Sequence, residues 1–401
     1  MARRIRALVS SCFILFGIGL VVAALGPLLP QLAANTHASL VHVGLLFAVV
    51  YLGAIPSAFL VGMLMDRFGA AFVLACLAPL FAAAIAAFTL ARSLPSLLAL
   101  GFVVGLVGSA LSTGGNVFVA KAYGGRNVPA QNLVNMFFGL GAIAGPALVA
   151  WGTVKWGQGM LALWVGGALA LVVLPALLSS HRGERSPETA KASDALPAVG
   201  ATQPWSSILR SPLLWIFGAV LLFDTGTEGA ISGWVTVYIH QIAAFPLATS
   251  ALVASGFWVT FTVGRLLAAA LSARLQPRLL LYSSVLLAVG AVVLVNLGAG
   301  SVDVSICGFL LAGLGLGPVY PTTLALVGNT FSARGGTAMG FAAAAGTGGG
   351  MLFPWVEGFL ITRYGASAGP LLLVLTAAGV VLFLSPALRR APGGVREAAP
   401  S

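Results

Sequence analysis

Two acidic residues, Asp224 and Glu228, stand four positions apart inside a long apolar stretch of the chain. On a helix, positions i and i+4 share a face, so the two carboxyl groups are expected to lie close together. Two carboxylates cannot both be ionised cheaply in a low dielectric, so at least one should hold a proton near neutral pH. Such a pair is suited to proton coupling. The alternative is a structural role, with Asp224 protonated and bonded to a neighbouring hydroxyl group.

Polar and aromatic side chains that can orient a solute lie in other apolar stretches. Amides can hydrogen-bond hydroxyl groups, and aromatic rings can stack on a sugar or another planar face. The alternatives are hydrogen bonds between helices for the amides and anchoring at the membrane interface for the tryptophans. The predicted substrate-binding residues are Asn116, Gln131, Asn132, Asn135, Trp234, Trp258, Tyr320 and Trp355.

Two more charged residues, Arg265 and Glu357, lie inside apolar stretches. At 1.5 Å per residue, Arg265 is roughly 10 Å from the nearer end of its stretch, deeper than its side chain easily reaches water. We expect Arg265 to be a structural charge that pairs with a carboxylate or with carbonyl groups at a helix end. Glu357 is close to the end of its stretch, where its carboxyl group can reach lipid headgroups.

The elements that carry these residues are predicted to be membrane-spanning helices. Of the 401 residues, 59% are hydrophobic and only 7% are charged, against about a quarter charged in soluble domains. Because about 20 apolar residues cross a bilayer, the pattern predicts twelve spans. In order they are 8–33, 40–63, 71–92, 95–120, 129–152, 158–180, 211–240, 246–272, 277–299, 302–329, 335–360 and 366–388. No paired cysteine or metal-ligand spacing and no phosphate-binding loop is visible, so we predict no metal and no cofactor.

The net charge of +11 reflects membrane topology. The two tails and the loops after spans 2, 4, 6, 8 and 10 hold 16 of the 20 Lys and Arg residues. Basic residues collect on the cytoplasmic side, so both termini are predicted to be cytoplasmic. The positive charge therefore does not indicate nucleic-acid binding.

The two halves of the chain resemble each other at a shift of about 207 residues. Gly101-Phe102, for example, returns as Gly308-Phe309. A repeat of this length predicts two similar six-helix bundles related by an axis along the membrane normal. The predicted domains are an amino-terminal bundle at 1–183, a cytoplasmic loop at 184–208 and a carboxy-terminal bundle at 209–401.

The segment 62–69, Gly-Met-Leu-Met-Asp-Arg-Phe-Gly, lies between spans 2 and 3. It resembles the G-x-L-x-D-R-x-G signature of the major facilitator superfamily, as do the six-plus-six helices and the long central loop. The resemblance implies a conformational latch made by Gly62, Asp66, Arg67 and Gly69. In it, Asp66 would lie at a helix N-terminus of the other bundle, and Arg67 would cap helix carbonyls or contact anionic lipid.

A narrower resemblance is to the fucose/glucose–galactose proton symporters. It rests on Asn132 to Asn135 with the glycines that follow, on 317–322 (Gly-Pro-Val-Tyr-Pro-Thr), on Gly264-Arg265, and on Thr227-Glu228 in span 7. The resemblance implies that Asn135 contacts sugar. The matching stretches of spans 1 and 4 contain no acid, whereas the fucose carriers have one in each.

These observations predict a membrane transporter and not an enzyme. We expect a monomer in the bacterial inner membrane that moves a small polar, sugar-like solute by alternating access. Protons, taken at Glu228 and Asp224, are the expected coupling ion and drive uptake, with sodium as a possibility. The alternative is a proton-coupled antiporter that exports drugs or metabolites, which the loop signature fits equally well.

Overall fold

The computed structural model describes residues 2–123, 128–184, 209–272, 274–298, 301–331 and 335–390, and every regular element within them is helical. A helix satisfies its own backbone hydrogen bonds, which lipid cannot do, so long apolar runs fold in this way. In chain order the α-helices are α1 Ala2–Thr36, α2 Leu40–Phe68, α3 Ala70–Thr89, α4 Leu94–Tyr123, α5 Val128–Trp156, α6 Leu161–Val172, α7 Leu174–Glu184, α8 Pro212–Ala243, α9 Leu247–Leu271, α10 Pro277–Leu297, α11 Val302–Leu316, α12 Val319–Thr330, α13 Gly335–Tyr364 and α14 Gly369–Arg390.

The described residues contain 11 helical segments that are long and apolar enough to cross a membrane. They match predicted spans 1 to 10 and span 12, with α6 and α7 together forming span 6 and α11 and α12 together forming span 10. Span 11 is the glycine-rich helix α13, which is 30 residues long. The all-helical membrane architecture predicted from hydropathy is therefore present.

Spans 6 and 10 differ from the prediction because each is broken near a proline. α6 ends at Val172 and α7 begins at Leu174, directly before Pro175. α11 ends at Leu316 and α12 begins at Val319, directly after Pro318. Proline has no N–H and its ring clashes with the preceding turn, so it interrupts the helical ladder.

The described residues divide into two compact units. The first unit falls within Met1–Val199 and Ser232–Trp258, and the second within Gly200–Ile231 and Val259–Ser401. The end of α8 and the start of α9 thus belong to the first unit by their contacts. Residues 185–208, which hold most of the predicted central loop, lie outside the described residues, and the predicted domain boundaries stay predictions.

In the first unit, glycines allow two pairs of helices to approach closely. α1 packs on α5, and α2 packs on α4. A Cβ built on Gly141 of α5 would overlap the Phe16 carbonyl of α1, and one built on Gly105 of α4 would overlap the Val50 carbonyl of α2. Small residues at such crossings are how helices in membranes gain close packing.

The second unit repeats the arrangement with the corresponding spans. A Cβ on Gly349 of α13 would overlap the Leu222 carbonyl of α8, and one on Gly317 would overlap the Phe261 carbonyl of α9. Spans 7 and 11 therefore pair as spans 1 and 5 do, and spans 8 and 10 pair as spans 2 and 4 do. The internal repeat seen in the sequence is matched by the same glycine-mediated pairing in each half.

Candidate functional site

The acid pair lies on the part of α8 that belongs to the second unit. Asp224 is 1% exposed, and neither of its carboxyl oxygens has a hydrogen-bond partner among the described residues. Glu228 is partly buried and interacts electrostatically with Asp224. Burying a carboxylate is costly unless it is paired or protonated. Because the two acids interact, the charge state of each depends on that of the other.

Arg265 of α9 and Tyr320 of α12 complete a cluster with the two acids. Arg265 interacts electrostatically with Asp224 and with Glu228, and Tyr320 interacts with all three of the others. The Arg265 guanidinium lies 4.5 Å from the centre of the Phe261 ring, and its Nε donates a hydrogen bond to the Gly317 carbonyl at 3.2 Å. We call Asp224, Glu228, Arg265 and Tyr320 the charge cluster.

The opposite sides of α8 are closed by packing against α13 and α14. Phe223 stacks on Phe353 of α13 and on Phe383 of α14, with ring centres 5.5 and 5.7 Å apart. The Thr227 hydroxyl lies 2.7 Å from the hydroxyl of Thr376 on α14. These contacts fix the position of the helical turn that carries the two acids.

The predicted amide contacts form a pair in the first unit. Nδ2 of Asn135 on α5 donates to Oδ1 of Asn116 on α4 at 3.2 Å, and Nδ2 of Asn116 donates to the Ser112 carbonyl at 3.0 Å. Asn135 is exposed and Asn116 is half-buried. The structure thus brings together two of the four predicted amides. Gln131 and Asn132 also lie on α5, and their side chains are outside the described residues.

The predicted aromatic contacts differ in accessibility. Trp234 is completely buried, with its ring against Gly44 of α2. Trp258 is 4% exposed and meets Phe257 edge to face. Trp355 and Tyr320 are half-buried. Tyr320 and Trp355 are therefore more accessible than the two tryptophans of the first unit.

Glu357 is 3% exposed, although sequence reasoning allowed it to reach lipid headgroups. It lies on α13 beside the start of α14, where its Oε1 is 3.2 Å from the position that a Cβ on Gly369 would take. Its Oε2 is buried and has no hydrogen-bond partner among the described residues. The headgroup interpretation is wrong because this side chain points into the protein.

The predicted latch lies at the end of α2. Gly69 has φ +88° and separates α2 from α3, a conformation that glycine adopts without strain. Arg67 is exposed, with its guanidinium 5.2 Å from the centre of the Phe68 ring. The side chain of Asp66 and the surroundings of Gly62 lie outside the described residues, so the latch role stays a prediction.

Sequence reasoning missed the feature that organises the charge cluster. Arg265 was expected to meet a carboxylate or a helix-end carbonyl, but the particular carbonyl of Gly317 was not foreseen. The available signal was Pro321, four residues after Gly317, since proline cannot donate the hydrogen bond that a helical carbonyl needs.

Comparison with known proteins identifies relatives over most of the chain. The family model described as Major Facilitator Superfamily matches residues 11–354. The "Uncharacterized transporter y4wD" of Sinorhizobium fredii is 25% identical over 347 residues, which are 85% of this chain and 88% of that protein. The rat "Sodium-dependent glucose transporter 1" is 29% identical over 144 residues, which are 35% of this chain and only 30% of that protein.

The same architecture occurs in a solved structure. A crystal structure of a point mutant of the nucleoside transporter NupG has a TM-score of 0.75 to this chain and covers 96% of it, while the chain covers 99% of NupG. At 13% identity the likeness concerns the fold. It confirms the predicted fold class, an all-helical membrane protein of twelve spans in two six-helix bundles.

Proposed function

Because this chain belongs to the major facilitator superfamily, and so is a multi-pass membrane transporter, we propose that it couples the movement of protons to the uptake of a small polar, sugar-like solute. Protons bind at Glu228 and Asp224 in the second unit. The candidate solute-binding side chains are polar and aromatic, among them Asn116, Asn135 and Tyr320. We place the protein in the bacterial inner membrane as a monomer, with both termini in the cytoplasm.

The observation that supports proton coupling most strongly is the state of Asp224. A carboxyl group that is 1% exposed, has no hydrogen-bond partner among the described residues and lies one turn from a second acid adds nothing to stability as an anion. Charged groups at membrane depth are costly and are usually retained for function. Arg265 nearby makes the ionised state accessible as well, so the pair can both load and release a proton.

A sugar-like solute is supported by two features. Asn116 and Asn135 present paired amides, of which that of Asn135 is exposed, and such groups donate to and accept from hydroxyl groups. The partial match to a sodium-dependent glucose transporter points to the same class of solute. That match also makes sodium the second candidate for the coupling ion, bound by ionised Asp224 and Glu228.

The test is solute flux in proteoliposomes that contain the purified protein. A panel of radiolabelled monosaccharides is offered under an inward proton gradient, an inward sodium gradient or no gradient. We expect one or more sugars to accumulate with the proton gradient alone. Accumulation driven only by the sodium gradient would show that sodium, and not the proton, is the coupling ion. Efflux under an opposing proton gradient would favour the exporting antiporter.

The substitution Glu228→Gln should abolish accumulation driven by the proton gradient, because the amide cannot release a proton. Exchange of solute across a membrane without a gradient should persist, since exchange needs no net proton movement. Asp303→Asn is the matched control, since Asp303 is an exposed acid in the first turn of α11. Gradient-driven uptake that survives in both Glu228→Gln and Asp224→Asn would show that these acids do not couple transport.

A further inference from the structure

Two prolines remove hydrogen-bond donors from the broken span 10. In a continuous helix the carbonyl of Leu314 would accept from residue 318 and the carbonyl of Gly317 from residue 321, but both positions are proline. The backbone stays close to helical through the break, with φ −48° and ψ −43° at Gly317 and φ −74° and ψ −22° at Pro318. The two carbonyls therefore lack their i+4 donors because of chemistry, not because the chain turns away.

Both carbonyls face α9. A Cβ on Gly264 would overlap the Leu314 carbonyl, and a Cβ on Gly317 would overlap the Phe261 carbonyl, so the two backbones touch here. Arg265, the next residue after Gly264, donates from Nε to the Gly317 carbonyl at 3.2 Å. The guanidinium thus replaces the N–H that Pro321 lacks. A charged donor to a buried carbonyl is among the stronger hydrogen bonds in proteins.

The same guanidinium also belongs to the charge cluster. It interacts electrostatically with Asp224 and Glu228 of α8 and with Tyr320 of α12. α9 itself carries no other titratable residue, and the titratable groups of α11, Asp303 and Cys307, are exposed and lie near its opposite end. The acids of α8 and the carbonyl of span 10 therefore compete for one cation.

We propose that Arg265 is a positioning residue that links the protonation of the acid pair to the break in span 10. When the acids are protonated, the Gly317 carbonyl is the strongest acceptor for the guanidinium, and span 10 is held at the break. When the acids ionise, they draw the guanidinium towards α8, and the hold on the Gly317 carbonyl weakens. The Gly317–Pro318 break then bends more easily, and α12 moves with Tyr320. This inference rests on the proposed function.

The chain supplies a direct test with a matched control. Pro321→Ala restores the N–H that the Gly317 carbonyl lacks, and Pro318→Ala restores the N–H for Leu314, whose carbonyl Arg265 does not contact. Arg265→Met should lower the thermal unfolding midpoint in detergent by roughly 4 °C. Pro321→Ala should recover most of that loss in the Arg265→Met protein, and Pro318→Ala should not. Equal recovery by the two proline substitutions, or none, would overturn the hydrogen-bonding part of the proposal.

The second measurement is the pH dependence of solute exchange in proteoliposomes, which a purely structural clamp would not change. In the double variant Arg265→Met, Pro321→Ala the cation is gone but the backbone bond is restored. We expect the pH of half-maximal exchange to rise by about one unit relative to Pro321→Ala alone, since the acids lose a nearby positive charge. An unchanged pH profile would show that Arg265 does not link the acids to span 10.

If Arg265→Met fails to fold, Arg265→Gln keeps the proposal testable. Its amide can still donate to the Gly317 carbonyl but carries no charge, so its unfolding midpoint should stay near that of the unsubstituted protein while its pH profile shifts. Wild-type exchange that does not vary with pH would instead overturn the proposed proton coupling itself. The unfolding measurements need no transport, so failure of the inferred role of Arg265 can be distinguished from failure of the proposed proton coupling.

Discussion

Asp224 and Glu228 are one helical turn apart on α8, yet the protein surrounds them differently. Asp224 is almost completely buried with no hydrogen-bond partner among the described residues, whereas Glu228 is only partly buried. Glu228 is therefore the more accessible of the two carboxyl groups. The charge of Glu228 acts on Asp224, so a change at Glu228 alters the protonation of its neighbour.

At this scale we predict that Asp224→Asn does not lower the thermal unfolding midpoint. The amide occupies nearly the same volume, and no hydrogen bond to a described residue is lost. Thr227→Val, one residue before Glu228, should lower stability by roughly 0.5–1 kcal/mol, since it removes the hydroxyl contact with Thr376 of α14. Unfolding of the two variants in detergent, followed by tryptophan fluorescence, checks both expectations. A large loss in Asp224→Asn would mean that Asp224 is a structural anion.

Helices of this protein approach each other through glycines that have no room for a side chain. Gly349 of α13 lies against the Leu222 carbonyl of α8, two residues before Asp224. At the neighbouring Gly348, no atom from beyond its own stretch of helix lies within 4 Å of the place where a Cβ would be. The two glycines share one helical turn but face different surroundings, so they form a matched pair for testing how α8 is held.

The element-scale prediction follows from that pair. Gly349→Ala should push α13 away from α8, cost about 1–3 kcal/mol of stability through overpacking and slow solute exchange by disturbing the acid-bearing turn. Gly348→Ala should be neutral or stabilising by up to about 1 kcal/mol, because alanine favours helix more than glycine does. Unfolding midpoints and exchange rates measured side by side decide the matter. Similar behaviour of the two variants would mean that the close contact is not needed.

At the scale of the whole molecule, the first unit contains the end of α8 and the start of α9 in addition to α1–α7. Gly26 of α1 lies against the carbonyls of Ser232 and Gly233. Ala150 of α5 packs with Ala248 and Ala251 of α9. By the predicted topology these contacts are on the outer side of the membrane. Under the proposed alternating access, we expect these contacts to separate when that side opens for a solute.

We therefore predict that Gly26→Val favours the state that is open to the outside, because its side chain cannot fit against the Ser232 carbonyl. The measurement uses a protein in which Cys12, Cys76 and Cys307 are replaced by serine and Ser232 is replaced by cysteine (Ser232→Cys). A membrane-impermeant thiol reagent is added outside intact cells, and labelling of the new cysteine is measured. Labelling should rise several-fold with Gly26→Val. Gly290→Val is the control, since no atom from beyond its own stretch of helix lies within 4 Å of a Cβ at Gly290. An equal effect of both substitutions would contradict the prediction.

Much of the fold follows from local chemistry that can be read directly from the sequence. Apolar runs of about 20 residues have to be helices in lipid, because no other element satisfies its own backbone there. The spacing of Asp224 and Glu228 likewise places both acids on one face of α8 whatever surrounds them. The family follows from a motif whose last residue, Gly69, has the positive φ that its position between α2 and α3 requires.

Other features depend on contacts between residues that are distant in the chain, and only the tertiary structure decides them. Pro146 and Pro354 lie within unbroken helices, whereas the chain breaks at Pro318. Asp224 is buried more completely than Glu228, and the side chain of Glu357 is buried as well. Hydropathy does not predict these differences, because exposure depends on what packs against a helix. The meeting of Arg265 with the Gly317 carbonyl joins residues 52 positions apart. Hydropathy and spacing determine which segments become helices, and the packing of those helices determines which carbonyl, carboxyl group and cation share a site.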